Sequence, residues 1–190
     1  MSSLEATNKI LAADYIYFKL RKSRFDWPVR CPVDLKKDGG CAEAKLAMRN
    51  LGEEFEERYR GVFNDMCQQL HITPNNASAT FRAIIGELFS DGIRWGRIVA
   101  LFSFSGCLAV ECMERKMPHL VDEVLTWTTA YLDEHLSKWI QDNNGWDGFV
   151  EFSKGGQTKE SPWPSFKTLC GYAVGALGVL TLGAILSQRS

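Results

Sequence analysis

The run from Ile98 to Val110, IVALFSFSGCLAV, carries no charge on any face of a helix. A helix apolar all round is either the core of a globular protein or a membrane span. A span needs about 20 residues, so this run is read as a core helix that other helices must surround. Just upstream, Ser90-Asp91-Gly92 stops a preceding helix, and Arg94-Trp95-Gly96-Arg97 opens the new one. Cations in a first helical turn oppose the helix dipole, at about 0.3–1 kcal/mol each. Arg94 and Arg97 therefore call for an anion. Asp91 and Glu87 of the same chain would supply one, and so would a carboxylate on a bound partner. Gly96, between the two arginines, leaves room for a close backbone approach.

The helices needed to surround that run are legible as amphipathic stretches. Residues 4–22 form one, with Leu11, Tyr15 and Phe18 on a stripe that Ile16 and Leu20 widen. Ser2 and Glu5 have capping-box spacing. A loop, 23–40, follows with Pro28, Pro32 and Gly39-Gly40, and a loop of that length inside a domain is functional or mobile. From Cys41 to Leu70 the pattern is helical again. Ala44, Met48, Leu51 and Phe55 share a face, and Tyr59, Val62, Phe63, Met66 and Leu70 continue it, with a break near Gly61. Glu53, Glu56, Glu57, Arg58 and Arg60 mark the opposite face. Ser78 is read as the cap of a helix carrying Phe81, Ile84, Ile85, Leu88 and Phe89. Beyond the core helix, Pro118 restarts the chain. Val121, Val124, Leu125, Thr128, Leu132, Leu136 and Trp139 then recur at helical spacing. Asp142-Asn143-Asn144-Gly145 is a stop, and a short aromatic segment holds Trp146, Phe149 and Phe152. No stretch alternates with period 2, so the fold class is all-α.

The chain has 190 residues and a net charge of −1, which suits one domain with a sizeable core and gives no footprint for nucleic acid. MSSLEATNK has no apolar segment of the secretory kind, so the six cysteines are read as reduced cytosolic thiols. Cys107 and Cys112 do not share a helical face, which argues against a zinc pair. The three histidines, His71, His119 and His135, have no metal-ligand spacing. No paired catalytic carboxylates, Ser-His-Asp set or phosphate loop stands out, so neither an enzyme nor a cofactor is expected.

The organisation is read as a helical domain at 1–153, a linker at 154–165 rich in Gly, Pro, Ser and Lys, a tail anchor at 166–187 and a short tail at 188–190. The anchor centres on Thr168 to Leu186, uncharged and long enough to cross a bilayer. So close to the C-terminus it is expected to insert after translation, leaving the domain in the cytosol. Gly171 and Gly175 give a weak helix-pairing motif.

Four stretches of this layout resemble the Bcl-2 family of apoptosis regulators. ELFSDGIRWGRIVALFSFSG, from Glu87 to Gly106, is similar to the family's first homology motif, and WIQDNNGWD, from Trp139 to Asp147, to its second. Leu51-Gly52-Glu53-Glu54-Phe55 resembles the third, and Tyr15-Ile16-Tyr17-Phe18-Lys19-Leu20 the fourth. They stand in family order and are followed by the tail.

The resemblance implies a Bcl-2-like bundle with the apolar helix at its centre, and a groove for the amphipathic third-motif helix of pro-apoptotic family members. By matching positions the groove would be lined by Phe55, Tyr59, Val62, Phe63, Met66, Ile84, Leu88, Val99, Ala100 and Phe104. Gly96 would lie under the ligand helix and Arg97 would pair with its Asp. Arg94 would also belong to the groove, standing where the family usually has Asn, and Glu53 stands where the third motif has Asp. Met48 replaces the usual Leu, and Ser153 a Tyr frequent in pro-survival relatives. The implied function is a pro-survival regulator that sequesters pro-death helices and Bax/Bak-like effectors and blocks permeabilisation of the mitochondrial outer membrane. The lipid bilayer would be engaged through the C-terminal span, with the endoplasmic reticulum as a second membrane. The alternative is a Bax/Bak-like pore-forming effector, which shares the fold, the groove and the tail.

Overall fold

A computed structural model describes residues 3–36, 40–60 and 70–155. Among the described residues the protein is helical throughout, without strands. The helices are α1 (Ser3–Lys22), α2 (Ala42–Arg58), α3 (Ala77–Leu88), α4 (Trp95–Glu114), α5 (Leu120–Tyr131), α6 (Ser137–Asp142) and α7 (Gly145–Lys154). A single widened turn of π type, Leu132–Leu136, joins α5 to α6.

Helix α4 is the centre of the bundle. Its 20 residues would reach across a bilayer by length and composition, but most are buried inside the protein. Burial, rather than length, decides its role. Ile98 to Gly106 is buried without interruption. The two hydroxyls in that stretch are satisfied locally. Ser103 shares a hydrogen bond with Tyr15 at 3.3 Å. Ser105 donates to the Leu101 carbonyl at 2.9 Å and accepts from Thr128 at 2.8 Å. A buried hydroxyl without a partner would cost about 1–3 kcal/mol.

Around α4 pack α1, α2, α3 and α5. Helix α1 buries Leu11, Ala12, Ala13, Tyr15, Ile16 and Leu20. Phe18, read as part of that stripe, is only half-buried, and the Arg49 guanidinium sits over its ring at 5.4 Å. Helix α2 buries Ala44, Met48 and Phe55 as its spacing requires, and also Gly52. Two carboxylates assigned to its polar face, Glu53 and Glu56, turn to α1 instead, pairing with Lys22 and Lys19. Asp14, buried on α1, takes Nε and Nη2 of Arg49 at 2.9 and 2.6 Å. The ring of Tyr15 fills the contact between α1, α2 and α4. A Cβ on Gly52 would lie 2.7 Å from two of its ring carbons, and one on Gly106 would lie 2.6 Å from Lys19 Cγ and 3.1 Å from Tyr15 Cε1. Only glycine lets the helices approach so closely.

Elsewhere the structure adjusts the reading. The residue at the cap position of α3 is Asn76, and Ser78 lies inside the helix. Asn76 accepts from the Thr73 N–H at 2.8 Å and donates to the His71 carbonyl at 3.2 Å, tightening the turn before the helix. The aromatic segment after Gly145 is helix α7, which runs through Ser153 and Lys154 into the stretch read as linker. The stop before it is made by left-handed backbone at Asn144 and Gly145. In the 23–40 loop, Trp27 is buried and its Nε1 donates to Asp122 at 2.6 Å, pinning that part of the loop to α5. Cys31, Cys41 and Cys112 are outside any disulfide. Cys107 is disulfide-bonded, so it departs from the expected set of reduced thiols.

The widened turn has a clear local partner. Ser137 Oγ donates to the Leu132 carbonyl five residues back, at 3.0 Å. The turn places Asp133 where Asn8 of α1 donates to it at 2.7 Å. Asn8, fully buried, also accepts from Trp146 Nε1 at 2.8 Å. One side chain thus ties α1 to the π turn and to α7. The Ser2 cap, the 166–187 anchor with Gly171 and Gly175, and the linker beyond Gly155 lie outside the described residues.

Candidate functional site

The site is built on the entrance to α4. Helix α3 ends at Leu88, and the Gly92 N–H closes a turn on the Phe89 carbonyl at 3.0 Å. Arg94 occupies the cap position of α4 with extended backbone, φ −148° and ψ 153°. Its carbonyl accepts from the N–H groups of Arg97 and Ile98 at 3.0 and 3.2 Å. The Arg97 side chain folds back over this turn. Its Nη1 donates to the Gly92 carbonyl at 2.8 Å, and its Nη2 lies 3.7 Å from the Asp91 carboxylate.

Exposure separates the two partners of that pair. The Arg97 side chain is 14% exposed and that of Asp91 is 70% exposed. A mostly covered guanidinium is thus faced by a loosely held, solvated carboxylate at long range. Such a pair contributes little, about 0–1 kcal/mol. Of the two carboxylates suggested by the dipole argument, Asp91 makes the contact. Glu87 faces Ser90, whose Oγ lies 3.4 Å from Glu87 Oε1 and donates to the Glu87 carbonyl at 2.9 Å. The Gly92 carbonyl is a partner that sequence reasoning missed, because no side-chain pattern announces a backbone acceptor. Arg94 is exposed and makes no ion pair or side-chain hydrogen bond among the described residues.

The apolar residues assigned to the site divide by element. Val99, Ala100 and Phe104 come from α4, Ile84 and Leu88 from α3, and Phe55 and Tyr59 from the end of α2. Packing of α2 and α3 on α4 brings these elements together. Phe55, Ile84, Leu88, Gly96, Val99, Ala100 and Phe104 are buried, so they serve the core here. Phe104 packs on Phe81 with centroids 6.0 Å apart, and Phe81 on Trp127 at 5.8 Å. Tyr59 is half-buried beside Phe55 at 5.1 Å, and desolvation holds its hydroxyl above the ordinary tyrosine value. Val62, Phe63 and Met66 lie outside the described residues.

An aromatic flank stands beside the arginines. Trp95 meets Trp139 edge-on at 4.9 Å, Phe149 at 5.3 Å and Trp146 at 5.9 Å. It joins the start of α4 to α6 and α7. Spacing alone could not show this, since the four residues come from three helices. Elsewhere, a cleft of about 840 Å³ runs between the starts of α1 and α2 and the face of α7, bridged by Lys154 and Glu43 at 2.6 Å. It contains none of the assigned groove residues. Among the described residues no group of three or more His, Cys, Asp or Glu side chains could hold a metal ion.

Comparison with known proteins bears on this arrangement. Residues 48–146 match the family model for apoptosis regulator proteins of the Bcl-2 family. Bcl-2-like protein 1 from Sus scrofa and from Homo sapiens are each 44% identical over 156 residues, covering 78% of this chain and 64% of theirs. The apoptosis regulator Bcl-2 of Gallus gallus is 47% identical over 147 residues, covering 76% of this chain and 62% of its own. The chain spans just under two thirds of the length of these curated relatives. With a family match across the stretch from Met48 to Trp146, which holds the whole α4 entrance, the chain belongs to the Bcl-2 family of apoptosis regulators.

Proposed function

We propose that the protein is a pro-survival regulator that captures the amphipathic third-motif helix of pro-apoptotic family members in a groove bounded by α2, α3 and α4, and so blocks permeabilisation of the mitochondrial outer membrane. The observation that carries the reading is Arg97. It is a mostly covered cation whose only ion-pair partner among the described residues is the exposed Asp91 at 3.7 Å. A carboxylate delivered by a ligand helix gains a shorter, better shielded contact than Asp91 provides. Helix-in-groove recognition then needs apolar anchors at one-turn spacing, and Phe55, Ile84, Leu88, Val99, Ala100 and Phe104, buried here, would have to be uncovered to receive them. No catalysis is assigned. The 166–187 segment is proposed as the anchor that holds the domain against the membrane.

The pore-forming alternative requires α2 to leave its place and serve as a ligand for another copy. Here α2 is tied to α1 by Arg49–Asp14, Glu53–Lys22 and Glu56–Lys19, and Gly52 is filled by Tyr15. That favours the guardian. The test is a dye-release assay on liposomes. The 190-residue chain, alone or with an activating peptide, should leave them intact and should suppress leakage caused by an effector protein. Dye release by the chain on peptide addition would move the assignment to the effector.

A further inference from the structure

We infer that Arg94 is a specificity determinant of this groove, selecting ligand helices that carry a second acidic side chain within one turn of the Asp. The inference rests on the groove reading above and names a preference within it. Arg94 and Arg97 open the same helix, and the Arg97 N–H bonds the Arg94 carbonyl at 3.0 Å. Both arginines therefore belong to the first turn, where the helix dipole is already positive. The carboxylates nearby do not balance them. Asp91 is directed to Arg97, Glu87 faces Ser90, and Arg94 has no partner among the described residues.

The two arginines are also held differently. Arg97 is covered and fixed by the Gly92 carbonyl, which suits it to one buried carboxylate. Arg94 is exposed and has no partner among the described residues. An exposed cation beside a groove adds selectivity through charge complementarity, with a modest, salt-dependent gain. On a ligand helix that turns one carboxylate to Arg97, the residues one turn before and after it lie on the same face, at about 5–6 Å between Cβ atoms. Glu or Asp there would meet Arg94. Lys or Arg there would be repelled.

The probes are three amphipathic peptides that share the same apolar anchors and the same Gly-Asp pair. One has Ala both one turn before and one turn after the Asp, the second has Glu one turn before it, and the third has Glu one turn after it. Each is titrated by calorimetry into the 190-residue chain, into Arg94→Ala and into Arg94→Lys, with thermal melts confirming that the variants fold. One of the Glu peptides should bind the parent about two- to fivefold tighter than the Ala peptide, the range for an exposed ion pair. That excess should shrink in 0.5 M salt, vanish in Arg94→Ala and survive in part in Arg94→Lys. The Ala peptide should bind parent and Arg94→Ala alike. The inference fails if neither Glu peptide gains over Ala, or if the gain persists in Arg94→Ala. The groove reading fails separately if none of the peptides binds, or if Arg97→Ala binds the Ala peptide as the parent does.

Discussion

The ring of Tyr15 occupies the space in which any side chain at position 52 would have to sit. Gly52 and Tyr15 are therefore one packing unit spanning α1 and α2, and the Tyr15 hydroxyl extends it to Ser103 on α4 and Glu56 on α2. Gly52→Ala should destabilise the fold by about 1–3 kcal/mol, the cost of overpacking a filled core, read as a lower urea midpoint. Tyr15→Phe removes the atom closest to the new methyl. The double variant should be less unstable than the two single effects combined, a coupling that a double-mutant cycle measures. Strict additivity would show that the contact is relieved elsewhere.

Arg49 reaches the buried Asp14 with two nitrogens, at 2.9 and 2.6 Å. Arg49→Ala leaves that carboxylate covered and without its fork, and should cost about 1.5–3 kcal/mol, as for hydrogen bonds to charged groups. Arg49→Lys should recover only part, because an ammonium cannot match the planar two-point geometry. Full recovery with Lys would mean that charge alone matters here. Denaturant titrations at fixed salt decide between the two.

Asn8 is fully buried, its amide group donating to Asp133 and, at 3.5 Å, to Ser137 Oγ, and its oxygen accepting from Trp146. Asn8→Ala strands the Trp146 N–H as well as removing a donor to Asp133. The expected loss is about 1–3 kcal/mol, with a change in tryptophan fluorescence that a distant destabilising substitution would not produce. An unchanged native emission spectrum would argue that Trp146 finds another acceptor.

Burial, helped by Glu111, pushes the Cys112 thiol up to about 12 from its ordinary value near 9. The folded protein keeps this proton over a range where the unfolded chain has lost it. Its contribution is therefore fully present below about pH 9 and is lost as pH rises toward 12. Tyr15, raised first by desolvation and next by Glu56, adds to the loss from about pH 10. Urea midpoints should hold near neutral pH and fall progressively above pH 9. Cys112→Ala should lower the starting midpoint but flatten the decline. A variant with the parent's slope would acquit Cys112.

For Arg97→Ala, calorimetry with the Gly-Asp helix peptide should show a loss of about 1.5–3 kcal/mol in binding. Lys138→Ala, whose exposed partner is Asp142 at 2.9 Å, is the matched surface control. Equal behaviour of the two would reduce Arg97 to a cation that only orders the α4 entrance.

Much of the bundle is legible from residue spacing, because spacing reports which face is buried. The uncharged run from Ile98 marks the centre, and Phe81, Ile84, Ile85 and Leu88 mark a buried face on α3. Spacing does not report what a polar side chain will meet. Glu53 and Glu56 are polar in any pattern, yet both are committed to α1. Gly52 stands out in the sequence only as part of the stretch that resembles the third motif, and nothing there shows that its neighbour is Tyr15. In the site, the tension between Arg97 and its helix dipole is visible in the sequence, with Asp91 and Glu87 both as candidate anions, and only the structure places Asp91 against Arg97. The Gly92 carbonyl and the meeting of Trp95 with Trp139, Trp146 and Phe149 depend on tertiary approach and leave no periodic trace.

The widened turn at Leu132–Leu136 amounts to one residue more than a regular helix would use. Deleting one residue from Leu132–Leu136 would let α5 run into α6 as regular helix, and what would be lost is the set of contacts that the bulge itself presents. Asp133 would lose its place beside Asn8, and Ser137 its bond to the Leu132 carbonyl. The result would be a more regular helix in a less stable protein, which makes this short stretch a place where the chain tolerates substitution far better than a change of length.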